Sequence, residues 1–157
     1  MRLFEDMLVF YKSGTDQTTV IDIYGKHTDV EVSINALLES LCAANGLSLD
    51  AAFMNSKKVM KAKKYPPINL CYKSRISYFR VATANKDEQI WIKFCPHLTC
   101  KKDKNGQKTL VYKDRFLMNV DFDQRRFKYQ FRRIKKYYHN DKKCPIQEIL
   151  LNALKPK

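Results

Sequence analysis

The sequence predicts an α+β domain, a largely antiparallel β-sheet with about four helices packed around it. Three observations carry that prediction. Runs of β-branched and aromatic residues of strand length occur in both halves of the chain, bounded by turn residues. Helical periodicity with capping residues marks the segments between and after them. Only four glycines and five prolines punctuate 157 residues, so no flexible linker divides the chain and residues 1–157 read as one domain.

The elements follow in order. "MLVFYK" and "TTVIDIYG" flank the turn-like "SGTDQ" and predict a hairpin. "SINALLESLCAANG" predicts a helix: Ser33 is a good N-cap, Ile34, Leu37, Leu38 and Leu41 recur at helical spacing, and Gly46 is a C-terminal stop. Ser48 then caps "LDAAFMNSKKVM", in which Leu49, Ala52, Phe53, Val59 and Met60 fall on one face. "YPPI" ends that helix, because each proline lacks an N–H and pushes the preceding residue out of α geometry. "INLCYK", "RISYFRVA" and "QIWIKFCPHL" read as strands. "KDKNGQK" carries the hairpin signal Asn105-Gly106 and leads into the strands "TLVYK" and "FLMNV". A long helix over 123–139 follows. A short final one, "PIQEILLNALK", starts with Pro145 at a favourable first position.

Hydrophobic residues make up 45% and aromatics 12%, enough for a sizeable core without disulfide or metal staples. The charge is lopsided. Thirty Lys and Arg oppose sixteen Asp and Glu, a net of +14, which costs self-repulsion on folding and selects polyanionic partners such as nucleic acid. "MRLFEDMLVFYK" puts Glu5 and Asp6 where a signal peptide needs an apolar core, and no stretch approaches the roughly 18 uncharged apolar residues of a membrane span. The expectation is a cytoplasmic protein without a membrane partner. Cys42, Cys71, Cys95, Cys100 and Cys144 are odd in number and scattered, as reduced thiols are.

The stretch "DQRRFKYQFRRIKKYYH", 123–139, carries seven cations and five aromatic residues. At about 100° per residue, Phe131, Ile134, Tyr138 and the preceding Val120 lie within about 40° of Phe127. They form a core stripe. Arg125, Lys128, Arg132, Lys135 and Lys136 occupy the opposite arc, with Arg126 and Arg133 at its edge and Tyr129 among them. Rings and cations are thus sorted onto different sides, unlike the interleaved pattern of a single-strand binder. With Asp123 as the lone acid of this stretch, i,i+4 ion pairs do not neutralise the face, and phosphates are the matching partner. A second run, "SKKVMKAKKY", holds Lys57, Lys58, Lys61, Lys63 and Lys64. One or two lysines complement the negative end of a helix, but five exceed that need. Lys73, Arg75 and Arg80 on the following strands are candidates to extend the same surface, a question that strand parity leaves open.

Chemistry beyond charge is sparse. "CPHLTC" brings Cys95, His97 and Cys100 within six residues, with His139 or Cys144 as a possible fourth ligand, but it lacks the paired C-x2-C spacing of structural zinc. No metal or cofactor is expected. There is no Gly-rich phosphate loop, no G-x-S-x-G, no H-E-x-x-H and no acidic cluster for two-metal nuclease chemistry, so the reading is not an enzyme. Asp121 and Asp123 flank the start of the basic helix, where carboxylates favour the dipole.

One family resemblance gathers these pieces. "SLCAANGLSLDA", a Cys-x3-Gly-x-Ser after an apolar run, precedes a basic helix and "YPPI". A hairpin-rich stretch with "IWI", an Asn-Gly turn and a long amphipathic helix follow. Over roughly residues 5–140 this order resembles the ComK family, competence transcription factors of low-GC Gram-positive bacteria, with Cys42, Gly46, Ser48, Pro66, Pro67, Trp91 and Ile92 as anchors. The resemblance implies an activator of DNA-uptake genes that binds A/T-rich double-stranded boxes, largely from the minor groove, as a homodimer or higher oligomer. It also implies control by a proteolytic adaptor. The chain departs from the family in a short "NDKKCP" after the long helix and in a denser basic face. The alternative class is a basic RNA-binding or ribosome-associated protein; a zinc-dependent or nuclease-like enzyme is a third.

Overall fold

A computed structural model of the chain describes residues 6–60, 65–81, 83 and 88–140. The order is β1 (Met7–Gly14), β2 (Gln17–Asp22), β3 (His27–Val30), α1 (Ile34–Ala44), α2 (Leu49–Met60), β4 (Ile68–Cys71), β5 (Ile76–Val81), β6 (Ile90–Lys93), β7 (Leu98–Lys102), β8 (Lys108–Tyr112), β9 (Arg115–Val120) and α3 (Gln124–Asn140). The strands form a six-stranded sheet, β3-β2-β1-β6-β5-β4, and a three-stranded one, β7-β8-β9. Every pairing is antiparallel. The fold is α+β, with three helices among the described residues where about four were expected. The final helix expected from Pro145 lies outside the described residues.

The large sheet is covered on both faces. α1 and α2 close one side: Ile34, Leu37, Leu38, Leu41, Cys42 and Ala52 pack on Phe10, Val20, Tyr78 and Trp91. α3 and the small sheet close the other, where Phe127, Ile134, Tyr138, Leu110 and Leu117 pack on Val9, Ile21, Phe79 and Ile92. Adjacent residues such as Val9 and Phe10, or Trp91 and Ile92, therefore enter opposite cores, as the two-residue period of a strand requires. That explains why "MLVF" and "IWI" are continuous apolar runs rather than alternating ones. In β1 the register slips between Met7 and Val9, and the extra residue, Leu8, turns into the α3 side of the core.

Local signals behave as the residues dictate. The Ser33 hydroxyl accepts from Ala36 N–H at 3.1 Å, and the Ser48 hydroxyl from Ala51 N–H at 3.1 Å. Gly46 ends α1 at φ +72. The β1–β2 hairpin pairs Gly14 with Gln17. In the β7–β8 loop the Asp103 carboxylate accepts from Asn105 and Gln107 N–H, and Gly106 takes φ +83, a conformation that L side chains resist.

Three local expectations change. "QIWIKFCPHL" is not one strand: β6 ends at Lys93, a turn closed by Leu98 N–H to Cys95 O (3.1 Å) carries Pro96, and Leu98 begins β7 in the other sheet. Residues 27–30, mostly polar and at the sheet edge, form β3, a third strand in the first thirty residues beside the two of the expected hairpin. On α2, Val59 is 40% exposed while Ser56 is buried. The buried face centres on Ala52, Ser56 and Met60, one turn apart, and leaves Val59 at its border. Among the described residues no helix is long and apolar enough to cross a membrane.

Candidate nucleic-acid interface

α3 is a polar helix held by an apolar stripe. Asp123 starts it: its carboxylate accepts from Arg125 N–H at 2.9 Å and its carbonyl from Arg126 N–H at 3.1 Å. Gln124 Nε2 donates to Cys100 O at 2.7 Å and ties the first turn to β7. Phe127, Ile134 and Tyr138 are buried and Phe131 is half-buried. Phe127 meets Phe79 at 5.7 Å between ring centroids, and Phe131 meets Phe94 at 4.7 Å. Val120 belongs to the same core, but as the last residue of β9 rather than as part of the helix. At the far end the Tyr138 hydroxyl bonds Ser77 Oγ, which donates to Asn69 Oδ1 at 2.7 Å. Burial raises the Tyr138 phenol well above its usual pKa, so it stays a neutral donor.

That anchoring turns the basic side outward. Arg125, Arg126, Lys128, Arg132, Lys135 and Lys136 are exposed. Arg133 is not among them: it is half-buried, its Nη2 donates to Tyr65 O at 2.9 Å and to Gln130 Oε1, and its guanidinium lies 5.3 Å from the centroid of Tyr129. Lys57 and Lys58 are exposed in the last turn of α2. Lys61, Lys63 and Lys64 lie outside the described residues.

Tyr65, the residue that follows the lysine run in sequence, is held against α3, and its clamp is Gln130. Gln130 is only 5% exposed. Its Nε2 donates to Tyr65 O (3.1 Å) and to Arg80 O (2.8 Å), while its Oε1 accepts from Arg133. One side-chain amide thus joins α3, β5 and Tyr65. Met60, at the end of α2, packs against the same core as α3.

Beside the clamp opens a cleft of about 770 Å³ lined by Tyr65, Arg80, Val81, Arg125, Arg126, Tyr129 and Gln130. Arg80 rests over the Tyr65 ring at 5.0 Å. At the other end of α3, Arg75, Lys93, Lys135 and His139 line a second cleft. Cations from β5 and its flanking turn thereby border both ends of the helix. Arg75 and Arg80 contribute to them, whereas Lys73 is exposed in the β4–β5 turn. Sequence reasoning missed Gln130, Tyr65 and the cleft. Gln130 was legible only as the uncharged polar residue among cations, about 60° from the core stripe.

The thiols are dispersed. Cys100 is buried on β7 and Cys95 half-buried after β6, while His97 meets the edge of Tyr112 at 6.4 Å. Among the described residues no three His, Cys, Asp or Glu side chains are grouped to hold a metal ion. Burial raises the thiols of Cys42 and Cys100, whereas hydrogen bonds from the Ser74 backbone and hydroxyl lower that of Cys71.

A family model described as ComK protein matches residues 5–143. No curated protein and no solved structure matches the chain.

Proposed function

The chain belongs to the ComK family, a family of competence transcription factors rather than enzymes, and on that premise we propose that it is a DNA-binding activator of DNA-uptake genes. In this reading residues 1–157 are one DNA-binding domain working in the cytoplasm. The exposed side of α3 and the lysines 57–64 make one duplex-binding surface. The observation that carries the proposal is the clamp. Tyr65, the residue that follows the lysine run in sequence, is hydrogen-bonded to Gln130 and Arg133 of a helix whose outer side is a row of cations.

Arg125, Arg126, Lys128, Arg132, Lys135 and Lys136 supply phosphate and groove contacts, with Lys57, Lys58, Lys61, Lys63 and Lys64 alongside. Arg133 contributes chiefly by holding Tyr65. A helix about 10–12 Å across with its side chains does not enter a B-form minor groove about 6 Å wide. α3 therefore lies over the groove, and its long cations reach down. A/T-rich tracts favour this, because their narrow minor groove concentrates negative potential. Two such surfaces in a homodimer or higher oligomer address paired boxes, and a proteolytic adaptor controls the level of the protein.

The test is a fluorescence titration of A/T-rich and G/C-rich duplexes across salt. Log K falls linearly with log salt by about 0.9 per phosphate neutralised. Replacing Lys128, Arg132, Lys135 and Lys136 with Gln flattens the slope by up to about 3.6. An unchanged slope, or equal affinity for both duplexes, removes the sequence-specific reading. Tighter binding to structured RNA supports the RNA-binding alternative instead.

A further inference from the structure

The cleft at the start of α3 holds features that phosphate contact alone does not use. Two tyrosines border it, and neither belongs to either hydrophobic core. Each has a guanidinium over its ring, Arg80 over Tyr65 and Arg133 over Tyr129. A cation seated on a ring restricts the ring's plane. Both residues nonetheless stay exposed to solvent, Tyr65 at 40% and Tyr129 at 58%. Leaving such aromatic surface wet costs solubility without adding to the core. Beside the rings stand Arg125 and Arg126 on the first turn of α3, where the helix dipole adds positive potential. The opening of about 770 Å³ falls within the usual ligand-site range of roughly 300–1,000 Å³.

We infer that this cleft is a nucleotide site, which stacks one unpaired base on Tyr129 and holds its phosphate with Arg125 and Arg80. Paired bases inside a duplex are stacked on each other and present only their edges. The ligand is therefore either a free nucleotide or a nucleotide of a single strand. Gln130 forms part of the lining but does not read the base, because its nitrogen serves Tyr65 and Arg80 and its oxygen serves Arg133. Affinity then follows stacking and charge, with little discrimination among bases. The site shares Arg125 and Arg126 with the proposed duplex surface but depends on rings that the surface does not use. The two readings therefore fail separately.

The experiment is calorimetric titration of the full chain at low salt with adenosine monophosphate, cytidine monophosphate, adenosine, inorganic phosphate and a short oligo(dA). Adenosine monophosphate is expected to saturate one site and to bind at least about tenfold more tightly than adenosine or phosphate. Tyr129→Leu, at an exposed position, weakens it about tenfold or more and leaves the duplex salt slope unchanged. Displacement of the mononucleotide by oligo(dA) assigns the site to single strands; mononucleotide binding without displacement assigns it to free nucleotides. Binding no tighter than phosphate, indifference to Tyr129→Leu, or strong preference for one base overturns the inference. If the mononucleotide binds and duplex does not, the duplex reading falls and the cleft stands.

Discussion

Gln130→Leu is the most informative single change in this protein, because it is nearly isosteric and removes three contacts at one point. The wild-type amide donates to Tyr65 O at 3.1 Å and Arg80 O at 2.8 Å, in a position 5% exposed. A net value of about 0.5–1.5 kcal/mol for each such bond puts the loss near 1–3 kcal/mol. The bond from Arg133 adds less than a fully buried charged one, since that guanidinium is half-exposed and water replaces its partner. At about 2–4 °C per kcal/mol for a chain of this size, Tm falls by roughly 2–12 °C. Gln130→Glu keeps an acceptor for Arg133 but aims a carboxylate at two carbonyl oxygens, so it is at least as destabilising as the Leu variant. Thermal unfolding followed by circular dichroism measures both. A second readout separates packing from function. If the clamp aligns the lysine run with α3, Gln130→Leu, measured well below its Tm, also flattens the duplex salt slope. A Tm shift below about 1 °C refutes the structural argument. A normal shift with an unchanged slope refutes the coupling of the two basic segments.

Two further predictions concern the anchoring of α3. Ile134→Ala, at a position 0% exposed, is expected to cost about 2–5 kcal/mol in chemical denaturation; a loss below 1 kcal/mol would place the helix outside the core. Tyr138→Phe leaves Ser77 Oγ without its phenolic donor and costs about 0.5–1.5 kcal/mol, and equal stability of the two proteins would deny that bond a role.

What could be read in advance was whatever depends on neighbours in sequence. Ser33, Ser48, Gly46 and Gly106 punctuate the chain through their own φ, ψ and side chains, so the helices and hairpins they bound were legible. The core stripe of Phe127, Ile134 and Tyr138 followed from angle alone. β3 did not, because an edge strand of mixed exposure needs only a partner's ladder, not an apolar pattern. The break between β6 and β7 was signalled by Pro96, which lacks the N–H that a strand ladder needs, but the apolar Phe94, Cys95 and Leu98 around it read as one continuous strand. The role of Gln130 as a clamp could not be read from the sequence, because it depends on distant partners. Its partners, Tyr65 and Arg80, are 65 and 50 residues away, and no local rule announces them.

α3 persists because its packing outweighs its own charge repulsion. α3 contains no acidic residue, and its like charges meet at Lys128–Arg132 and Arg132–Lys136 four apart, and at Arg125–Lys128, Arg132–Lys135 and Arg133–Lys136 three apart. At about 0.2–0.5 kcal/mol each, these five pairs oppose the helix by roughly 1–2.5 kcal/mol. Burying Phe127, Ile134 and Tyr138 contributes about 1.5–3 kcal/mol per side chain and outweighs the repulsion. Packing therefore holds the cations in place against their own field, instead of the cations being arranged by pairing. A polyanion laid on this face removes the repulsion without disturbing the packing, so binding and stability are linked. The charge density that costs the free protein stability is the term that a phosphate backbone returns.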